Sequence, residues 1–213
     1  MATWDQWTPD VAADVPACPS ITLERAVKLT VIDFLERSHW IQRTAEPIDI
    51  AGGAASRSFP SSIIATGETV LAVMRAWISG EEVPVYGPAD VENDRQDWKT
   101  LTGAPDCIVQ ERMDGYYVVP SPTSTMTAAL RLKCAIGLLE TATSCDDSIR
   151  VHWRDAIADG AKARLMFMPD KPWTSANLAS SYQTRYLDST KAASVRAIRT
   201  PARRPLQTKP YWF

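Results

Sequence analysis

Apolar residues recur at spacings of three and four along Leu23, Ala26, Val27, Val31, Phe34 and Leu35, one stripe of an amphipathic helix. Ser20 or Thr22 can cap it, and Glu24 lies in its first turn, where the helix dipole favours a carboxylate. Leu29 and Ile32 fall off the stripe, so this helix, about 20–39, is expected to be buried on more than one side. Between about 42 and 139 the period switches to two. Thr69 to Ser79 reads as a strand, and Ser79-Gly80 before Val83-Pro84-Val85-Tyr86 suggests a hairpin. Asp90 to Leu101 is polar enough for a loop or one helical turn. Cys107–Arg112 and Tyr116–Val119 flank Met113-Asp114-Gly115 as a second hairpin, in which Asp-Gly would supply positive φ angles. Met126 to Leu138 alternates as a half-buried strand. These segments predict one antiparallel meander of about five or six strands.

Helical spacing returns after Cys145-Asp146-Asp147-Ser148, a cluster of caps. Ile149, Trp153, Ile157, Gly160, Ala161, Leu165 and Met168 define the buried face of a helix over about 147–168. The small residues Ala156, Gly160, Ala161 and Ala163 admit a close neighbour, and Pro169-Asp170-Lys171-Pro172 ends the helix. Thr174 or Ser175 then caps a last helix, about 175–198, carrying Tyr182 and Tyr186. Ile157, Gly160, Ala161, Leu165, Tyr182 and Tyr186 are the expected helix-packing residues. The segment Trp4 to Pro19 holds three prolines and little periodicity, so residues 1–19 read as an extended arm with local turns. A short turn could place Trp4 and Trp7 on one surface, facing either the core or a neighbouring subunit. The fold class is α+β. A single domain over 20–198 has an N-terminal helix, a central antiparallel meander and two C-terminal helices in a small bundle, with extended arms on either side.

The 213 residues, 45% hydrophobic and 23% charged, suit one folded domain and exclude a disordered or fibrous chain. No apolar run approaches a membrane span, and Met1-Ala2-Thr3-Trp4-Asp5 has no secretory pattern. Cys18, Cys107, Cys134 and Cys145 form no C-x-x-C pair and are expected to be free thiols. With only His39 and His152 beside them, a zinc site is not expected. Gly52-Gly53-Ala54-Ala55 lacks the Gly-Lys-Ser/Thr of a P-loop, and there is no G-x-S-x-G elbow. Cys145 and His152, seven apart, would lie about 10 Å apart along a helix, too far for a nucleophile–base pair. Asp146-Asp147 reads as a cap rather than an acid–base pair. No catalytic, cofactor or metal site is assigned.

Charge is unevenly spread. Six of the 23 Lys and Arg lie after residue 190, leaving 17 against 25 Asp and Glu before it, a balance of −8. The segment 199–213 carries Arg199, Arg203, Arg204 and Lys209, prolines at 201, 205 and 210, and ends Tyr211-Trp212-Phe213. Arginine and aromatic residues dominate interface hot spots, so this segment is the candidate partner-binding arm. A nucleic-acid role for it is weaker, because no aromatic interleaves the basic run and the body is acidic.

Three stretches resemble the head-to-tail adaptor (neck, or head-completion) proteins of tailed bacteriophages, including those related to the tubular tail protein of short-tailed phages. The first is the Trp-rich opening and Val15-Pro16-Ala17-Cys18-Pro19, leading into the helix with Asp33-Phe34-Leu35-Glu36-Arg37. The family has a glycine before that cysteine and a cysteine where Leu35 stands. The second is the central region with Asp97-Trp98, Gly103-Ala104-Pro105 and Pro120-Ser121-Pro122. The third and most specific is Ile157-Ala158-Asp159-Gly160-Ala161-Lys162-Ala163-Arg164-Leu165, followed by Met168-Pro169-Asp170-Lys171-Pro172-Trp173 and the Tyr182/Tyr186 helix. The match covers about 4–198; the tail after Ile198 carries no family motif.

The resemblance implies a structural virion protein without catalytic residues or cofactor. It would form a ring, most often of twelve copies, at the neck between portal and tail and lining the DNA channel. Its partners would be the portal protein, a tail, tail-terminator or nozzle protein, and other copies of itself. Genomic DNA would pass non-specifically and no membrane would be involved. Such a protein is made in the host cytoplasm, with a helical bundle toward the portal and a β-rich part toward the tail. A small Cys/His hydrolase and a DNA-binding module using the basic tail are the alternatives from other classes.

Overall fold

The helix predicted by the three-and-four spacing runs from Ser20 to Ser38, and all six residues of its stripe are buried. The computed structural model describes residues 1–53 and 56–199. In chain order these form β1 (Ala2–Thr3), a 3-10 turn (Trp4–Trp7), α1 (Thr8–Ala12), α2 (Ser20–Ser38), β2 (Gln42–Thr44), β3 (Ile48–Ile50), β4 (Arg57–Ser58) and β5 (Glu68–Ile78). There follow β6 (Glu81–Val83), β7 (Val85–Tyr86), α3 (Pro88–Asp94), β8 (Cys107–Arg112), β9 (Gly115–Val119), β10 (Met126–Leu138), β11 (Ser144–Cys145), α4 (Asp147–Met166) and α5 (Ala176–Arg199). The protein is α+β, with its strands between helical segments rather than interleaved with them.

Of the three expected N-caps, the one at α4 holds. Asp146 is the N-cap of α4 and accepts a hydrogen bond from the Ser148 amide at 2.8 Å. Replacing Asp146 with alanine is expected to cost about 1 kcal/mol, read as a small fall in melting temperature. At α2, neither Ser20 nor Thr22 caps. Pro19 occupies that position, and its carbonyl accepts from the amides of Thr22 and Leu23. The same helix ends at His39, whose left-handed backbone (φ 49°) lets its amide return to the Leu35 carbonyl.

The strands do not form one meander. β10 is the centre of the larger sheet, in the order β2-β10-β5-β6 with β3 also on β10. A second sheet has the order β4-β9-β8-β7, and its β7–β8 pair is parallel. Alternation marks which face of a strand is buried but not which strand lies beside it. The long β10 serves three partners, and no period of two reveals that. Both expected hairpins form. Ser79 and Gly80, with φ of 51° and 90°, make the two-residue turn between β5 and β6. The β8–β9 turn has no positive φ at Asp114 or Gly115, and a register shift between Gln110 and Arg112 accommodates it instead. Gly115 serves a close approach, because a Cβ there would lie 3.0 Å from Ser56 Oγ.

The N-terminal segment is not an extended arm. Its 3-10 turn and α1 put Trp4, Trp7, Val11 and Val15 into the main core with α2 and α4, and β1 pairs with β11. Its periodicity is too short to register as a helix, since three prolines divide it into single turns, and tertiary burial supplies what propensity lacks. Bidentate Arg154–Asp10 and the Lys162–Asp14 pair fasten it to α4. Lys162 holds the Asp14 carboxyl below the usual carboxylate range. A depressed carboxylate adds stability above its unfolded value of about 3.9 and loses it as pH falls through the folded value. Below about pH 4, near that unfolded value, the segment should therefore loosen, and Lys162→Met should flatten this acid limb in amide hydrogen exchange of residues 4–15.

Candidate functional site

The three long helices meet at Gly160. A Cβ built there would lie 2.5 Å from Thr30 Cγ2 on α2 and 2.7 Å from Tyr186 Cδ2 on α5, so only glycine lets the three backbones come this close. Ile157, Ala161 and Leu165 are fully buried beside it. The Tyr186 hydroxyl donates to Asp33 Oδ2 at 2.6 Å, and Asp33 also accepts from Arg37 Nε at 2.9 Å. Burial first, then the bond to Asp33, pushes the Tyr186 phenol well above its ordinary value, so it stays a donor. Tyr182 is half-buried, with Lys162 Nζ 5.3 Å from its ring centre. All six residues expected to pack the helices thus lie on this α2–α4–α5 junction or its rim.

The turn joining α4 to α5 is closed by Thr174, whose hydroxyl accepts from the Lys171 amide and donates to the Met168 carbonyl. α4 ends at Met166 rather than near residue 168, and Thr174 stabilises this turn instead of capping α5. Ser175 contributes its carbonyl, which accepts from the Ala179 amide at 2.9 Å.

At the far end of α5 lies a groove of about 820 Å³, lined by Arg150, Val151, His152, Arg154, Ser189 and Arg196 among others. Trp153 breaks the helical geometry of α4 here (φ −131°, ψ 20°). Its ring packs edge-on against Trp40 at 5.2 Å and lies under Arg196 at 5.2 Å. The apolar spacing places Trp153 on a buried helix face but carries no sign of Trp40 or Arg196 beside it. Trp40 and Arg196 are 156 positions apart, and only the antiparallel packing of α5 on α4 brings them together.

Of the expected partner-binding residues, Arg199 is exposed at the last position of α5, so the helix extends one residue into the segment expected to be an arm. Arg203, Arg204, Lys209, Tyr211, Trp212 and Phe213 lie outside the described residues.

Cys145 and His152 are not brought together as a nucleophile and base. Cys145 is fully buried in β11, where burial and the neighbouring Asp146 and Asp147 push its thiol up to about 12. His152 is exposed, against the edge of Trp40. All four cysteines are free thiols. Among the described residues no three His, Cys, Asp or Glu side chains cluster as metal ligands, and no helix is long and apolar enough to cross a membrane. Compared with known proteins, the chain matches no family model and no curated protein sequence.

Proposed function

We propose that this chain is a head-to-tail adaptor of a tailed bacteriophage, a structural protein that assembles as a ring of about twelve copies between portal and tail around the path of the DNA. The observation that carries the reading is the junction at Gly160. It is built from the stretch that most specifically resembles that family, Ile157 to Leu165, closed by the Tyr186 helix. The junction packs α2, α4 and α5 into a helical part distinct from the two larger β-sheets, in keeping with the helical and β-rich parts that the family resemblance implies. From this body α5 leads directly to the basic, aromatic-ended segment 200–213, offered as the anchor for a portal surface. Arg203, Arg204 and Lys209 would meet acidic groups there, while Tyr211, Trp212 and Phe213 would fill apolar pockets. Many copies acting together would offset the entropy of ordering each segment.

Truncation after Arg199 tests this. The shortened protein should keep a near-native melting curve and lose stable attachment to the portal in co-sedimentation. Attachment as tight as that of the full chain would remove the segment from the portal contact.

A further inference from the structure

The outward face of β10 and β5 is cationic in an otherwise acidic body. Alternate residues of a strand share one face. In the sheet register Arg131 lies opposite Trp77 and Lys133 opposite Arg75, with Thr44 of β2 beyond Lys133. Arg75 stacks over the Trp77 ring at 5.0 Å and forms a bidentate pair with Glu82 of β6, both bonds 2.6 Å. Arg131 is exposed and Lys133 half-buried, and neither meets a carboxylate among the described residues. Lys133 thus lies opposite an Arg75 whose charge Glu82 already matches, and has no carboxylate of its own among the described residues. Trp77, Arg131, Thr44 and Pro47 also line a concavity of about 420 Å³.

We infer that this sheet face, centred on Arg131, Lys133 and Trp77, is a contact surface for the carboxylates of a second copy of the chain. The inference rests on the ring reading above and names one of its inter-copy surfaces. Charge complementarity carries it. Residues 1–190 are acidic by eight charges, and α3 presents Asp90, Glu92 and Asp94, all exposed and without an ion-pair partner among the described residues. A second copy therefore supplies what the face lacks, while Trp77 offers the apolar, desolvating centre that charge pairs need to contribute. A nucleic-acid strand fits less well. It needs a continuous cationic track, and here Glu82 lies among the cations with exposed Glu81 next to it on the sheet edge.

The full chain is measured by sedimentation equilibrium over a concentration series at low and high salt. Wild type should self-associate, more weakly as salt rises. R131E/K133E and, separately, E92K/D94K should each associate at least about tenfold more weakly, the scale of roughly 1.4 kcal/mol. An equimolar mixture of the two variants should recover association, because the reversed face of one then meets the reversed α3 of the other. Melting curves, together with the milder R131A/K133A, establish that the variants are folded. Association unchanged in R131E/K133E would overturn the inference and leave the ring to other surfaces. A wild type that stays monomeric at low salt up to its solubility limit would also overturn it, while a ring templated by the portal would still stand. A labelled DNA duplex that binds wild type but not R131E/K133E, with self-association unaltered, would replace this surface with a nucleic-acid contact.

Discussion

Replacing Arg43 with alanine should destabilise the protein by roughly 3 kcal/mol, at the lower end of the range for breaking a buried ion pair. The Glu68 side chain is only 5% exposed, and Arg43 grips it through its two terminal guanidinium nitrogens while also donating to the Ile63 carbonyl at 3.0 Å. The Ala65 amide adds a third donor to the same carboxylate at 2.8 Å. Removing the arginine leaves that carboxylate buried with one backbone donor, the costly half of the asymmetry between making and breaking such pairs. The Arg43 side chain is itself a third exposed, so water reaches the site and holds the cost to the low end. Urea denaturation of Arg43→Ala and of the double variant Arg43→Leu/Glu68→Leu separates the terms. The double variant should recover much of the loss. Equal losses in both would mean that shape, rather than the stranded charge, sets the cost.

A comparable loss is expected from Gly160→Leu. Overpacking a close helix contact costs about 1–3 kcal/mol and occasionally more. Here even the first added carbon meets Thr30 and Tyr186 well inside contact distance. Thr30 is held by its bond to the Ala26 carbonyl and Tyr186 by its bond to Asp33, so neither side chain can yield cheaply. Melting temperature should fall by several degrees, and under the proposed function ring formation should fail with it. Gly160→Ala should lie between, and Tyr186→Phe should lose about 1 kcal/mol through the hydrogen bond alone. An unchanged melting curve for Gly160→Leu would mean that α4 can shift bodily away from α2.

Gly160 was legible in the sequence because small residues at helical spacing have one physical reading, a close neighbour. The neighbour's identity was not, since Thr30 and Tyr186 come from helices on either side in the chain. The strands show the same limit. Ser79-Gly80 marked its hairpin, because two residues at positive φ are a local requirement. The place of β10 between β2 and β5 depends on pairings between residues 52 to 93 positions apart, which no window of sequence contains. The N-terminal segment failed differently. Local turns and a shared surface for Trp4 and Trp7 are legible there, but three prolines conceal that these turns pack into the core. At the candidate site, the helix-packing residues and the burial of Trp153 follow from periodicity, whereas the pairing of Trp153 with Arg196 and Trp40 follows from nothing local.

The central position of β10 also orders events during synthesis. β2 and β3 find their partner only in residues 126–138, and β5, already joined to β6, finds its second partner there. Until that strand has left the ribosome, three sheet segments wait with unpaired edges while α2 waits for its cover. Loop closures of this length slow folding and prolong exposure of apolar edges. A nascent chain stalled before residue 126 should therefore bind chaperones and resist protease poorly, and one stalled well beyond residue 166 should do neither. The sheet closes in a single late step, when one strand joins both of its halves.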